Sequence, residues 1–313
     1  MGVLIAILLG TVLALALPQW FVWMQPVLQP AFAVTMLFVG TLVRAEQLRA
    51  FSRKSSWVLA GLLTQYTVMP LTAWVVSLAF DDPLIRVGIV LVGCMPGAMA
   101  SNVMTLLYRG DLILSVAMTT LATLICPLTL AFWLPLLADR RIEVPAWGLA
   151  WNATWMVVLP VATGILLRYL KTQMPGWWDR VATLLASATI VFIILVVVAT
   201  NHARLTEIGP KLALGMLALN LGGYALAYVA AKLLGWPAVQ RRTLVIEVGM
   251  QNAGLGSVLA IAHLGQAGAV PSAFYTALCV FTVSLALPLR QRGASQLAPQ
   301  SSLLDGPAAK IPD

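Results

Sequence analysis

The chain has 313 residues, of which 60% are hydrophobic and only 10% charged, with a formal net charge of +8. A soluble globular domain carries about 25% charged residues, so water is excluded as the main solvent for this surface. The 19 basic residues sit in short links between apolar spans rather than on one face, which argues against a nucleic-acid partner and for loops beside an anionic leaflet.

Apolar stretches near or above the ~20 residues of a bilayer crossing recur along the whole length. They predict ten transmembrane helices, near 3–17, 28–43, 56–79, 84–108, 111–138, 148–170, 180–200, 209–234, 241–265 and 268–289. The first ends in small residues, as a secretory signal does, but lacks a basic n-region, and reads as a short first span. Polar links at 44–55, 138–147 and 168–180 punctuate the spans. The tail at 291–313 is rich in Ser, Gln, Pro and Gly and reads as disordered.

Ten crossings put both termini on one side. With the N-terminus inside, all basic residues except Arg86, Arg140, Arg141, Arg204 and Lys211 fall in cytoplasmic links or the tail, so both termini are expected in the cytoplasm. Cys94, Cys126 and Cys279 lie in apolar segments without C-x-x-C spacing, which points to neither disulfides nor zinc. His202, in a connector, and His263, near a helix end, read as solvated or interfacial rather than catalytic. The fold class is therefore an all-α polytopic membrane protein.

Ten spans divide into a first five-helix repeat, 1–138, and a second, 139–290, which enters the membrane inverted. Val92-Gly-Cys-Met-Pro-Gly-Ala-Met-Ala-Ser-Asn102 in the fourth span parallels Val248-Gly-Met-Gln-Asn-Ala-Gly-Leu-Gly-Ser257 in the ninth. Both put glycine, small and amide residues at mid-span. Breaks at matching positions in two halves point to a binding site.

Ten of the eleven acids lie in links, at span ends or in the tail; Glu247 lies inside the ninth span. A charged side chain at the helix centre costs about 2.5–3.5 kcal/mol on insertion scales, and no intramembrane Lys or Arg is available to pair with it. A bound cation or a proton is the natural partner. A structural glutamate held protonated by hydrogen bonds is the alternative. Hard cations prefer oxygen. Candidate donors are the carbonyls of Val248 to Met250, the amides of Gln65, Asn102, Gln251 and Asn252, and the hydroxyls of Ser101, Ser115 and Thr119. The last two stand four residues apart on one helical face. Half-helices after each break would aim their N-terminal dipoles inward, which favours an anion. Two Na+, the Glu247 carboxylate and one substrate carboxylate then sum to zero charge. A proton-coupled carrier with Glu247 as the proton site is the competing transporter reading. An intramembrane enzyme is disfavoured, because Asp81-Asp82 is the only acidic pair and no Ser/His/Asp arrangement or Gly-rich phosphate loop accompanies it.

At these residues the chain resembles the bile acid:sodium symporter family, especially its bacterial ten-span members. The resemblance is carried by Pro96-Gly-Ala-Met-Ala-Ser-Asn-Val-Met-Thr105 with Arg109-Gly-Asp111, and by Glu247-Val-Gly-Met-Gln-Asn-Ala-Gly-Leu-Gly256. It extends over most of residues 1–290. It implies sodium-coupled uptake of organic anions by alternating access in a bacterial inner membrane. It also implies a panel domain of helices 1, 2, 6 and 7, and a core domain of helices 3–5 and 8–10 in which helices 4 and 9 are broken and cross. One implied sodium site uses Ser101, Asn102, Ser115, Thr119 and Glu247; the other uses Gln65, Glu247, Gln251 and the carbonyls of Val248 and Met250. Implied substrate contacts are Met99, Ala100, Asn102, Asn252, Phe281 and Thr282. Bacterial relatives commonly read Pro-Gly-Gly-Thr where this chain has Ala98-Met99, and His-Asn where it has Phe281-Thr282. The resemblance thus implies a bile-acid-like, pantoate-like or other small organic acid without selecting among them. Expected partners are that anion and the lipid bilayer, with no obligate protein partner.

Overall fold

The computed structural model describes residues 9–10, 12–44, 54–139, 141–171 and 174–295. Much of the expected first span, most of the link at 44–55, Arg140 and the tail beyond residue 295 lie outside the described residues. Two short turns, Gln19–Val22 and Gln25–Val27, lead into α1 (Leu28–Thr41). There follow α2 (Ser55–Ser77), α3 (Pro83–Gly93), α4 (Met99–Leu107), α5 (Leu112–Leu137), α6 (Ala146–Leu170), α7 (Trp178–Thr200), α8 (His202–Leu233), α9 (Ala238–Gly249), α10 (Ala253–His263) and α11 (Gly265–Ser295). Among the described residues the protein is all helical, with no strand. Six helices, α2, α5, α6, α7, α8 and α11, contain a stretch long and apolar enough to cross a bilayer. At 14 residues, α1 spans about 21 Å at 1.5 Å per residue, short of the ~30 Å hydrocarbon core.

The stretches expected at 84–108 and 241–265 are each two helices. Pro96 biases Met95 away from helical backbone, and α3 stops at Gly93. Asp82 caps its other end, accepting from the Leu84 amide at 2.8 Å, with Pro83 in the first turn. In the second interruption the Asn252 side chain accepts from the Leu255 amide at 3.2 Å and so starts α10. The two interruptions meet. Ala98 N–H donates to the Met250 carbonyl at 2.7 Å, and Asn252 N–H to the Pro96 carbonyl at 2.7 Å. Between them Gly97 and Gln251 form an antiparallel bridge. Backbone groups freed by unwinding are thus paired across the break, as a low-dielectric interior demands.

Two apolar clusters hold the helices. One joins α1, α3, α5, α6, α7 and α10 through residues such as Phe32, Leu91, Leu149, Val197 and Leu259. The other joins α2, α3, α5, α8, α9 and α11 around Met69, Met118, Leu219 and Tyr275. Helix α1 packs closely on α6 and α7. A Cβ on Gly40 would collide with the Val161 carbonyl, and one on Gly164 with the Leu37 carbonyl, so glycine is what permits this backbone approach.

Three boundaries differ from the hydropathy reading. Helix α8 starts at His202 rather than 209, which puts His202 in the first turn and not in a connector. The charges of Arg204 and Glu207 make the segment look like a link, but Ala, Arg, Leu and Glu are good helix formers. Helix α11 runs to Ser295 instead of ending at 289, carried by Arg290, Gln291 and Arg292. Within α6, Thr154–Val158 is a π-helical turn. Pro160 explains it, since proline removes the bond to the carbonyl four residues back and crowds it.

Candidate functional site

Glu247 sits in the last turn of α9 with none of its surface exposed. Its Oε1 accepts from Ser101 Oγ at 2.7 Å and from Ser115 Oγ; its Oε2 accepts from Thr119 Oγ1 at 2.8 Å. The first half-helix after the break, α4, brings Ser101, while α5 brings Ser115 and Thr119 on one face. Asn102 Oδ1 lies 2.8 Å from Ser115 Oγ and 3.4 Å from Thr119 Oγ1. Thr105 Oγ1 lies 3.2 Å from Ser115 Oγ.

Proton counting makes this cluster unusual. Ser115 has one hydroxyl proton and three acceptors within reach: the carboxylate, the Asn102 oxygen and the Thr105 hydroxyl. Thr119 likewise has one proton to share among Glu247, Asn102 and the Ser115 carbonyl at 2.9 Å. Lone pairs outnumber protons. Among the described residues no ion pair involves Glu247, and no group of three or more His, Cys, Asp and Glu forms a multivalent metal site. One carboxylate among neutral oxygens suits a hard monovalent cation.

The second set of residues adjoins the first at Gly97. A Cβ there would stand 2.7 Å from Glu247 Oε2 and 3.8 Å from Gln65 Nε2. Gln65, at the middle of α2, is fully buried, and neither its Oε1 nor its Nε2 has a hydrogen-bond partner. Gln251 Oε1 is also buried and unpartnered, while its Nε2 donates to the Val248 carbonyl at 2.9 Å. A buried unsatisfied polar group costs about 1–3 kcal/mol, so two unsatisfied amide oxygens beside a buried carboxylate point to a ligand that oxygen binds. The Met250 carbonyl already accepts from Ala98 N–H and keeps a second lone pair. The intervening Gly249 carbonyl is held by Asn220 Nδ2 and the Tyr275 hydroxyl, both at 2.9 Å.

The sequence-derived substrate residues have different neighbours. Met99 packs against the first apolar cluster, and Ala100 against Ile246, Met250 and Val283. Asn102 turns to the hydroxyls of α5, and Asn252 caps α10. Phe281 is 47% exposed, whereas Thr282 points to α8 and donates to Asn220 Oδ1 at 2.7 Å.

Sequence reasoning missed Thr105 and Asn220. Thr105 is four residues after Ser101, hence on the same helical face, and Asn220 is a mid-span amide as informative as Gln65. The Arg109-Gly-Asp111 turn proves structural. Arg109 adopts left-handed backbone, φ 52°, and Asp111 caps α5 at the Leu114 amide (3.1 Å), pairs with Lys54 and accepts from Gln240 at 3.3 Å. Burial pushes the Asp111 carboxyl up, but the Lys54, Leu114 and Gln240 donors outweigh it and hold it below its ordinary value. At another link, Arg86 and Arg141 each sit 2.8 Å from Asp139, and the Arg141 hydrogen bonds hold that carboxyl well below the usual range. Two of the basic residues that the loop-charge count assigns outside thus share one carboxylate locally.

A sequence profile described as the Sodium Bile acid symporter family matches residues 29–208. The chain is 33% identical over 271 residues to the "Uncharacterized sodium-dependent transporter YocS" of Bacillus subtilis (strain 168), covering 86% of this chain and 84% of that protein. It is 34% identical over 260 residues to the "Probable sodium/metabolite cotransporter BASS1, chloroplastic" of Arabidopsis thaliana, covering 82% and 65%. It is 30% identical over 241 residues to the "Ileal sodium/bile acid cotransporter" of Homo sapiens, covering 75% and 69%.

Proposed function

The chain belongs to the sodium bile acid symporter family of sodium-coupled membrane transporters, and from that premise we propose that it carries a carboxylate-bearing organic anion into the cell by symport with two sodium ions. The observation that carries the reading is Glu247, an acid with no exposed surface that accepts from hydroxyls and, among the described residues, has no cationic partner. One Na+ is held by Ser101, Asn102, Ser115, Thr119 and Glu247. The other is held by Gln65, Glu247, Gln251 and the carbonyls of Val248 and Met250. The unpartnered amide oxygens of Gln65 and Gln251 favour sodium over a proton, because a proton on Glu247 would leave both unsatisfied.

Ten crossings follow if the helical residues 9–10 and 12–16 together, α1, the pair α3–α4 and the pair α9–α10 each count as one span beside the six long helices. These form two inverted repeats, 1–138 and 139–290. The first span, α1, α6 and α7 make the panel; the remaining helices make the core, with both termini in the cytoplasm of a bacterial inner membrane. The packing of α1 on α6 and α7 supports this division. Substrate meets the core near Met99, Ala100, Asn102 and Asn252, with Phe281 and Thr282 on the tenth span. Two sodium charges offset Glu247 and the substrate carboxylate, so the loaded core is neutral and crosses the low-dielectric barrier more readily than a charged one. Alternating access is the motion of the core against the panel.

The test is uptake of a panel of labelled carboxylates into proteoliposomes. An inward sodium gradient is expected to drive accumulation, choline replacement to abolish it, and Glu247→Gln to remove it while the protein stays folded. Accumulation that persists unchanged in choline, or in the Gln variant, rules out sodium coupling through this acid.

A further inference from the structure

Away from the oxygen cluster, a cavity of about 300 Å³ opens between α8, α9 and α11. Leu221 and Val245 give it apolar walls, with the rings of Tyr224 and Tyr228. At one end stand Arg241 and Arg242, in the first turn of α9. Among the described residues neither arginine pairs with a carboxylate, since the five ion pairs all lie elsewhere. Arg242 donates to the carbonyls of Ala238 (3.0 Å) and Tyr108 (3.4 Å) from Nε and Nη1, leaving Nη2 over. The Arg241 guanidinium lies 5.2 Å from the centre of the Tyr228 ring, and the Lys232 ammonium lies 6.0 Å from the same ring. Three cations therefore gather at the end of α8 and the start of α9 with no carboxylate partner among the described residues. The Tyr224 hydroxyl, also lining the cavity, is buried with no hydrogen-bond partner.

The surroundings select the kind of anion. Leu221, Leu226, Val229 and Leu233 are exposed along α8, and in a membrane that flank faces lipid. The cations lie where α8 ends at Leu233 and the chain turns back into α9, at the level where headgroups begin. A soluble phosphate would gain the arginines but not the apolar wall; an acyl chain gains both. We propose that this cavity binds the headgroup of an anionic phospholipid. Its phosphate sits at Arg241 and Arg242, and its chain lies along Leu221 and Val245. A zwitterionic lipid brings its own ammonium and repels the cluster. The cavity also holds Thr282, a proposed substrate contact, and Ile246, next to Glu247, but the lipid assignment is carried by the arginines and does not rest on the transport reading.

The experiment is native mass spectrometry and thermal melting of the purified full chain in neutral detergent. The probes are phosphatidylglycerol, phosphatidylcholine of the same acyl chains, or inorganic phosphate. Phosphatidylglycerol is expected to be retained with a preference of roughly thirtyfold over phosphatidylcholine, the contribution of two basic side chains near the surface, and to raise Tm. The double variant Arg241→Gln/Arg242→Gln is expected to lose both effects. Equal retention of the two lipids by the wild type overturns the proposal, even if the double variant fails to fold. So does inorganic phosphate raising Tm as much as phosphatidylglycerol, which would make this a soluble-anion site. Full phosphatidylglycerol retention by a folded double variant overturns it as well.

Discussion

Replacing Gly97 with alanine would place a methyl 2.7 Å from Glu247 Oε2, where ordinary contact begins at 3.4 Å. The carboxylate is not free to yield. Thr119 holds that same oxygen at 2.8 Å and Ser101 holds the other at 2.7 Å, while the Gly97 backbone is pinned between Ala98–Met250 and Pro96–Asn252 hydrogen bonds. Relief comes either from shifting the paired breaks or from surrendering the Thr119 contact. Overpacking costs about 1–3 kcal/mol, and a hydrogen bond to a charged group contributes about 1.5–3 kcal/mol. At 1.4 kcal/mol per factor of ten, sodium binding should weaken about tenfold to a hundredfold. The assay is Tm in detergent against sodium concentration at constant ionic strength, which reads ligand binding through stabilisation. Gly209→Ala is the control, because a Cβ there meets nothing nearer than the Phe274 ring at 4.0 Å; its sodium curve should match the wild type. A folded Gly97→Ala protein with an unchanged sodium half-point would refute the placement of the ion beside this carboxylate.

Three further outcomes follow from the same geometry. Thr105→Val removes a hydroxyl 3.2 Å from Ser115 Oγ and should raise the sodium half-point severalfold without unfolding the chain; identical titrations would make Thr105 mere packing. Gly164→Leu drives a side chain into the Leu37 carbonyl and should lower stability by about 1–3 kcal/mol or more, read as the fall in Tm and in folded yield. Asp111→Asn should destabilise the protein at neutral pH. Because the folded carboxyl is held below its ordinary value near 3.8, the wild-type advantage is present above that pH and is lost as pH falls through the depressed folded value. Melting the pair from pH 7 to pH 3 should show the gap closing, and a gap that widened in acid would contradict the sign.

Much of the oxygen cluster around Glu247 was legible before any packing was known. Glu247 stands out because it is the one acid set deep in an apolar run, and the insertion penalty is a property of that run alone. Pro96 and Gly97 in one segment, and Gly249 and Asn252 in the other, announce interruptions through local backbone rules. Less legible were positions whose role depends on a distant neighbour. Thr105 looks like any helix hydroxyl until Ser115 is beside it, and Asn220 like a membrane-helix amide until the Gly249 carbonyl and Thr282 meet it. The partner of Thr282 was likewise hidden, since its bond to Asn220 crosses to α8 over 62 positions.

Solvent and element type were thus determined by the sequence itself: hydropathy says the surroundings are lipid, and continuous apolar runs of about 20 residues there satisfy their backbone as helices. Which atoms meet was decided only by the tertiary structure. The Ser101–Glu247 and Thr119–Glu247 contacts join residues 146 and 128 positions apart, and Gly97 finds Gln251 only because the two interruptions pack against each other. Hydrogen bonds fail within a few tenths of an ångström, so their partners are set by how α4, α5 and α9 settle together, a global outcome that no local pattern encodes.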